Sequence, residues 1–169
     1  MKVAIIGMGV VGRGAYEIIR DELAPEIQGK YVMDLRQLDD VDCIVTKDIN
    51  EITADPEVDL VVESIGGLHP AYEFITASLE AGKSVVTANK HLVSKYYREL
   101  YDLAHRLDPQ NRPVTMGCCQ NDYTRDLITR TMDVVCINRY YGWYNLSGDL
   151  ETAKYAMRME LDWWADKGK

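Results

Sequence analysis

Short runs of apolar residues alternate along this chain with longer segments whose apolar residues recur every three or four positions. The short runs predict strands at 2–6, 31–33, 43–45, 58–63, 84–87, 113–117 and 134–137. The longer segments predict helices at about 11–23, 71–79, 91–107 and 122–131, with a last one after Asp149. Because strands and helices alternate, the pattern predicts an α/β fold. We expect one domain over 1–169, built on a single, mostly parallel, doubly wound sheet with helices on both faces.

Three glycines follow the first predicted strand in the spacing G-x-G-x-x-G, and a helical pattern begins directly behind them. Gly7 suits a tight turn, Gly9 lets the backbone approach a pyrophosphate, and Gly12 lets the helix pack closely on the strand. The helix N-terminus then offers free N–H groups to an anion. This order of strand, glycine turn and helix predicts a dinucleotide-binding loop, with Val10, Val11 and Arg13 as further cofactor-binding residues.

Charged residues after the second predicted strand leave the choice of dinucleotide open. Asp34 stands about 20 residues beyond the last glycine, where an acid commonly bonds the adenosine ribose, and this favours NAD. Arg36 and Arg13 are placed to meet a 2′-phosphate instead, which favours NADP. A solvated surface charge is an equally good interpretation of Arg36.

Polar and small residues also follow two later strands. Ser64, Gly66 and Gly67 come after strand 58–63, and Thr87 and Lys90 follow the strand 84–87. Ligands of open α/β sheets bind outside the carboxyl ends of the strands. We therefore expect these five residues to complete the cofactor site.

The composition of the chain argues against several classes of binding partner. The net charge of −8 and the isoelectric point near 4.9 argue against nucleic acid and anionic membranes. No apolar run is long enough to span a membrane, and a strand beginning near residue 2 leaves no room for a signal peptide, so we expect a cytoplasmic protein. The scattered histidines and the cysteine spacing indicate no metal site. A monomer or a weak homodimer is expected.

Residues 1 to about 94 resemble the NAD(P)-binding domain of homoserine dehydrogenase. The resemblance rests on GMGVVGRGAYEII at 7–19 and on the block VVESIGG at 61–67 followed by VVTANK at 85–90. It implies a Rossmann fold that binds NAD or NADP. The lysine of that family that matches Lys90 lies beside the substrate and the nicotinamide, so Lys90 is a vestigial catalytic candidate.

Residues from about 95 to 169 resemble an internal segment of the (β/α)₈ barrel of β-glucuronidase. The matching runs are YYRELYDLAHRLDPQNRPVT at 96–115 and DVVCINRYYGWYNLSGDLETAKYAMRMELDWWADK at 133–167. The change of resemblance falls inside a predicted helix, and the family's two catalytic glutamates are not in the segment. We expect its strands 113–117 and 134–137 to join the sheet beside strands 58–63 and 84–87.

Three functions remain open at this point. The first is an engineered fold chimera without evolved catalytic activity that keeps an NAD(P)-binding glycine loop. The second is an NAD(P)-dependent oxidoreductase of the homoserine dehydrogenase type, present as its cofactor domain. The third is a structural scaffold that binds nothing.

Overall fold

A five-stranded parallel sheet lies within the first 110 residues of the computed structural model, which describes residues 1–118, 120, 122–144 and 146–169. Its strand order is β3-β2-β1-β4-β5. The strands are β1 (Lys2–Ile6), β2 (Gln28–Met33), β3 (Ile44–Thr46), β4 (Leu60–Glu63) and β5 (Ser84–Thr87). The helices are α1 (Val10–Arg20), α2 (Ile49–Ala54), α3 (Ala71–Glu80) and α4 (Lys90–Leu107). The predicted parallel α/β fold is confirmed for this part of the chain.

The central strand β1 is buried on both sides, which explains its unbroken apolar sequence. Ala4 and Ile6 pack on one face of the sheet, in a cluster that includes Ile52 of α2. Val3 and Ile5 pack on the other face, in a cluster that includes Tyr16 of α1. Apolar residues at consecutive positions of a strand are therefore needed here, because helices cover the sheet on both faces.

A second unit comprises residues 111–169, where the sequence analysis expected one domain throughout. Here β6 (Thr115–Cys118) pairs in parallel with β7 (Val134–Ile137), and α5 (Leu150–Ala165) follows. The expectation that these strands extend the first sheet is wrong, since they form a two-stranded sheet of their own. An apolar run identifies a strand but carries little information about which strand it pairs with.

The prediction of a helix at 122–131 is also wrong. Two short 3₁₀ turns, Tyr123–Arg125 and Thr129–Thr131, occupy the segment instead. Between them, the Asp126 carboxylate accepts hydrogen bonds from the backbone N–H of Thr129, at 2.9 Å, and from its hydroxyl, at 2.7 Å. Side-chain bonds of this kind offer the backbone a local alternative to a continuous helix.

The last helix begins as predicted. Asp149 is its N-cap, and its carboxylate accepts the backbone N–H of Thr152 at 3.0 Å. Within the second unit, the wholly buried Glu160 accepts two hydrogen bonds from the Arg139 guanidinium, at 2.8 and 2.6 Å. The Tyr141 hydroxyl also donates to Glu160, and burial together with this bond raises the pKa of Tyr141 to about 12. No helix among the described residues has the length and apolarity that crossing a membrane requires.

Candidate functional site

The glycine loop connects β1 to α1 and begins in left-handed backbone geometry. Gly7 has φ +91°, a conformation that L side chains rarely adopt. Its N–H donates to the Met33 carbonyl at 2.8 Å, which continues the β1–β2 pairing by one residue. Gly9 is the N-cap of α1, with extended backbone. The turn that the sequence predicts at Gly7 is therefore present.

Gly12 and Gly9 differ in what surrounds them. A Cβ added at Gly12 would stand 1.8 Å from the Gly7 carbonyl oxygen and 2.7 Å from the Ser64 hydroxyl, so α1 packs directly against the loop, as expected. A Cβ added at Gly9 would meet no atom of the protein within 4 Å. Space at Gly9 is thus open to a ligand, and the fold itself does not need a glycine there.

The N-terminus of α1 faces open space. Val10 is 93% exposed and Val11 is also exposed, which is unusual for two apolar residues that begin a helix. At this end of the helix, the Arg13 N–H donates to the Gly9 carbonyl at 2.8 Å, as in the first intrahelical bond. The N–H groups before Arg13 have no partner available within the helix, so they suit a phosphate or another anion.

Asp34 is the first residue after β2, as the sequence indicates, and its carboxylate is already engaged. Oδ2 accepts the Met8 N–H at 2.8 Å and Arg36 Nη2 at 2.8 Å. Oδ1 accepts the Arg36 N–H and Arg36 Nε, both at 2.9 Å. Arg36 Nη2 also donates to the Met8 carbonyl at 2.7 Å. The Arg36 guanidinium beside Asp34 holds the pKa of that carboxyl well below its usual range.

Arg13 does not join Arg36. Its guanidinium forms an ion pair with Asp40, with Nη1 2.9 Å and Nη2 3.1 Å from the two carboxylate oxygens. It also lies over the ring of Tyr16, at 5.8 Å from the centroid. Both candidate phosphate-binding arginines are thus paired with an acid of the segment that follows β2.

The residues after β4 hold the glycine loop from its other side. The Ser64 hydroxyl lies within hydrogen-bond distance of two carbonyls, that of Ile6 at the end of β1, at 3.1 Å, and that of Gly7 in the loop, at 2.9 Å. Gly66 and Gly67 follow in left-handed geometry, with φ +73° and +75°. Ser64 therefore positions the loop by its side chain, and the two glycines allow the sharp turn that follows it.

Thr87 belongs to a hydrogen-bond network between the ends of β4 and β5. Its hydroxyl donates to the fully buried Glu63 carboxylate and accepts the Asn89 N–H at 2.9 Å. The Asn89 side chain caps α4 by accepting the Leu92 N–H at 3.0 Å, and it donates to the Gly67 carbonyl at 2.6 Å. Thr87 thus has a positioning role at this edge.

Two residues that contribute to the site, Met8 and Asn89, were not predicted from the sequence. Met8 contributes only backbone atoms, which no residue pattern can indicate. Asn89 could have been found, because an Asn directly before a helical pattern is a common N-cap signal. Lys90 follows it at the exposed start of α4, and its side chain forms no hydrogen bond or ion pair with any described residue.

The described parts of the chain contain no group of three or more His, Cys, Asp or Glu side chains placed to hold a metal ion. The glycine loop is bounded by the ends of β1, β2 and β4. Its open space at Gly9 and its free helix N-terminus fit the pyrophosphate of a dinucleotide.

Comparison with known proteins gives two similarities. The family model described as homoserine dehydrogenase, NAD binding domain, matches residues 7–109. The homoserine dehydrogenase of Synechocystis is 34% identical over 116 residues, which cover 63% of this chain and 27% of that protein. A crystal structure of homoserine dehydrogenase from Thiobacillus denitrificans superposes with a TM-score of 0.56 and 35% identity, again over 63% of this chain and 27% of that one.

The second similarity concerns a separate segment. The β-glucuronidase of Streptococcus agalactiae is 47% identical over 73 residues, which cover 43% of this chain and 12% of that protein. Both resemblances proposed from the sequence are confirmed. The first one continues past residue 94 to residue 109, which is farther than expected. The chain spans about a quarter of the length of the homoserine dehydrogenases that it matches.

Proposed function

The chain belongs to the family of homoserine dehydrogenase NAD-binding domains, and we propose that residues 1–110 bind a nicotinamide dinucleotide at the glycine loop. The observation that carries this proposal is the exposed start of α1, where the packing of α1 on the loop requires Gly12 while a Cβ at Gly9 would meet open space beside the helix N-terminus. Val10, Val11, Gly12 and Arg13 would hold the pyrophosphate through the helix N-terminus.

The other predicted site residues would play supporting parts. Asp34 and Arg36 would face the adenosine ribose, and Ser64 keeps the loop in shape. Gly66, Gly67 and Thr87 shape the neighbouring strand ends. A nicotinamide ring bound here would supply hydride-transfer chemistry.

Affinity measurements on two glycine variants test this function. We expect NADH or NADPH fluorescence to show saturable binding below millimolar concentration in the wild type. Gly9→Ala should weaken that binding strongly, because the added methyl group occupies the space nearest the phosphates. The helix-cap change itself costs at most about 1 kcal/mol of stability. Gly14→Ala is the matched control, since its Cβ also meets open space but lies a turn farther along α1.

Two results would contradict the proposal. Absence of saturable binding of either dinucleotide would leave the chain as a scaffold. Equal affinities in Gly9→Ala and the wild type would place any binding away from the loop.

We further propose that the chain is an engineered chimera that catalyses neither parent reaction. Two unrelated similarities in one chain support a fusion. The homoserine dehydrogenase match extends to residue 109, whereas the β-glucuronidase-like run begins at about residue 96, so the two overlap within α4. Tyr96, in this overlap, has non-helical angles, φ −116° and ψ 16°. Lys90 stands at the exposed start of α4, and no hydrogen bond or ion pair joins its side chain to the part of the chain that the structure describes. Hydride transfer needs a substrate held in a reactive position, and one exposed lysine does not provide this.

Two acidic residues of the second unit, Glu160 and Asp149, have structural roles. Glycoside hydrolysis needs two carboxylates placed across the scissile bond. Glu160 is buried against Arg139, and Asp149 caps α5. We expect a flat absorbance trace at 340 nm with homoserine and NAD or NADP, and no release of a fluorescent aglycone from a glucuronide. Turnover of homoserine would favour the oxidoreductase alternative.

A further inference from the structure

The Asp34 carboxylate has no accepting capacity left for a ribose hydroxyl. It accepts four hydrogen bonds, one from Met8 N–H and three from Arg36. An ionised carboxylate offers about four lone-pair sites. Its side chain is only 10% exposed, so water or a ligand reaches little of it. A ribose hydroxyl could bond Asp34 only after Arg36 had moved away.

Arg36 presents the opposite situation. Its side chain is 61% exposed although it makes two side-chain bonds to Asp34 and one to the Met8 carbonyl. Those bonds use Nε and Nη2, and Nη1 has no acceptor among the described residues. A phosphate oxygen can therefore accept from Nη1 while every existing bond of the Asp34–Arg36 pair is kept. Guanidinium groups suit phosphate because their donors form a planar fork.

We propose that the Asp34–Arg36 pair, which closes off the carboxylate and presents Nη1, makes this chain select a 2′-phosphorylated dinucleotide over an unphosphorylated one. This inference rests on the proposed function. NADP would gain a charge-assisted bond while the pair stays intact, whereas NAD could bond Asp34 only after the bidentate ion pair had been broken.

The acidic residues that follow Arg36 have partners of their own. Asp40 is paired with Arg13, Asp39 accepts the Gln37 side-chain amide at 2.9 Å, and Asp42 accepts the Tyr16 hydroxyl at 2.5 Å. The unused Nη1 edge of Arg36 is thus the donor that a 2′-phosphate would meet at the end of β2.

Binding of NADPH and NADH to the purified chain, followed by fluorescence titration, tests the inference without any turnover. We expect the wild type to bind NADPH about tenfold more tightly than NADH, the value of one added hydrogen bond to a charged group. In Arg36→Ala this ratio should fall to about one, and NADH should bind at least as well as before, because Asp34 regains its lone pairs.

Two further variants secure the interpretation. Arg36→Lys keeps the charge but loses the fork, so its ratio should lie between those of the wild type and Arg36→Ala; it also serves if the alanine variant fails to fold. Arg20→Ala is the control, because it removes an arginine that lies at the far end of α1 and pairs with Asp21. The ratio of its NADPH and NADH affinities should equal that of the wild type.

The possible outcomes separate the two proposals. A wild type that binds NADH as tightly as NADPH, or an Arg36→Ala variant that weakens both equally, would overturn the selection and leave dinucleotide binding intact. Failure of both dinucleotides to bind the wild type would overturn the proposed function itself.

Discussion

Replacing Gly12 by alanine should strongly destabilise the first unit, although alanine is the better helix former. The new Cβ would lie 1.8 Å from the Gly7 carbonyl oxygen, whereas non-bonded heavy atoms pack at about 3.5 Å. Helix α1 or the loop would have to move by more than 1 Å, and the obstacle is backbone, which cannot rotate aside. Overpacking typically costs about 1–3 kcal/mol, and occasionally more.

The matched variant is Gly14→Ala in the same helix. Its Cβ meets no atom within 4 Å, so it should gain the intrinsic helix preference of alanine, about 1 kcal/mol. We therefore expect the free energies of unfolding of the two variants to differ by about 3 kcal/mol, with Gly12→Ala the less stable. Urea unfolding followed by far-UV circular dichroism measures this difference. Equal stability of the two variants would refute the close packing of α1 on the loop.

Two other predictions concern charged groups away from the loop. The hydrogen bond from Lys30 lowers the pKa of Asp55 to about 2, so Asp55 stabilises the fold above its unfolded pKa of about 3.9, and this contribution is lost as the pH falls toward 2. Asp55→Asn should therefore lower Tm at pH 6, and this difference should shrink as the pH falls to 2 and disappear below it; a difference independent of pH would contradict this. Glu160→Ala should cost about 3–5 kcal/mol because the Arg139 side chain, 5% exposed, loses its carboxylate. Urea unfolding followed by tryptophan fluorescence checks this, with the exposed Glu151→Ala, expected within about 0.5 kcal/mol of the wild type, as control.

Local signals made much of the first unit predictable. The run that forms β1 is apolar at consecutive positions because helices cover it on both faces, and G-x-G-x-x-G behind it has a mechanical reason at Gly7 and Gly12. Asp34 stands at the end of β2 as its spacing indicates. Each of these features depends on residues close together in the chain, so the sequence pattern carries them.

Features that depend on contacts between residues far apart in the chain could not be predicted from the sequence. The pairing of β6 with β7 depends on which strand lies within hydrogen-bonding distance, and the apolar pattern does not encode this. The Asp34–Arg36 pair closes around the backbone of Met8, 26 residues away from Asp34. Between Cys118 and Asp126, a buried side-chain bond accompanies the break in the predicted helix.

Amide hydrogen exchange of residues 9–13, measured with and without saturating NADPH, tests the central claim most directly. If the helix N-terminus closes on the dinucleotide phosphates, the N–H groups before Arg13 become donors to the ligand and exchange more slowly when it is bound, whereas the Arg13 N–H already donates to the Gly9 carbonyl. Unchanged exchange of residues 9–13 at a concentration that saturates binding would contradict the account.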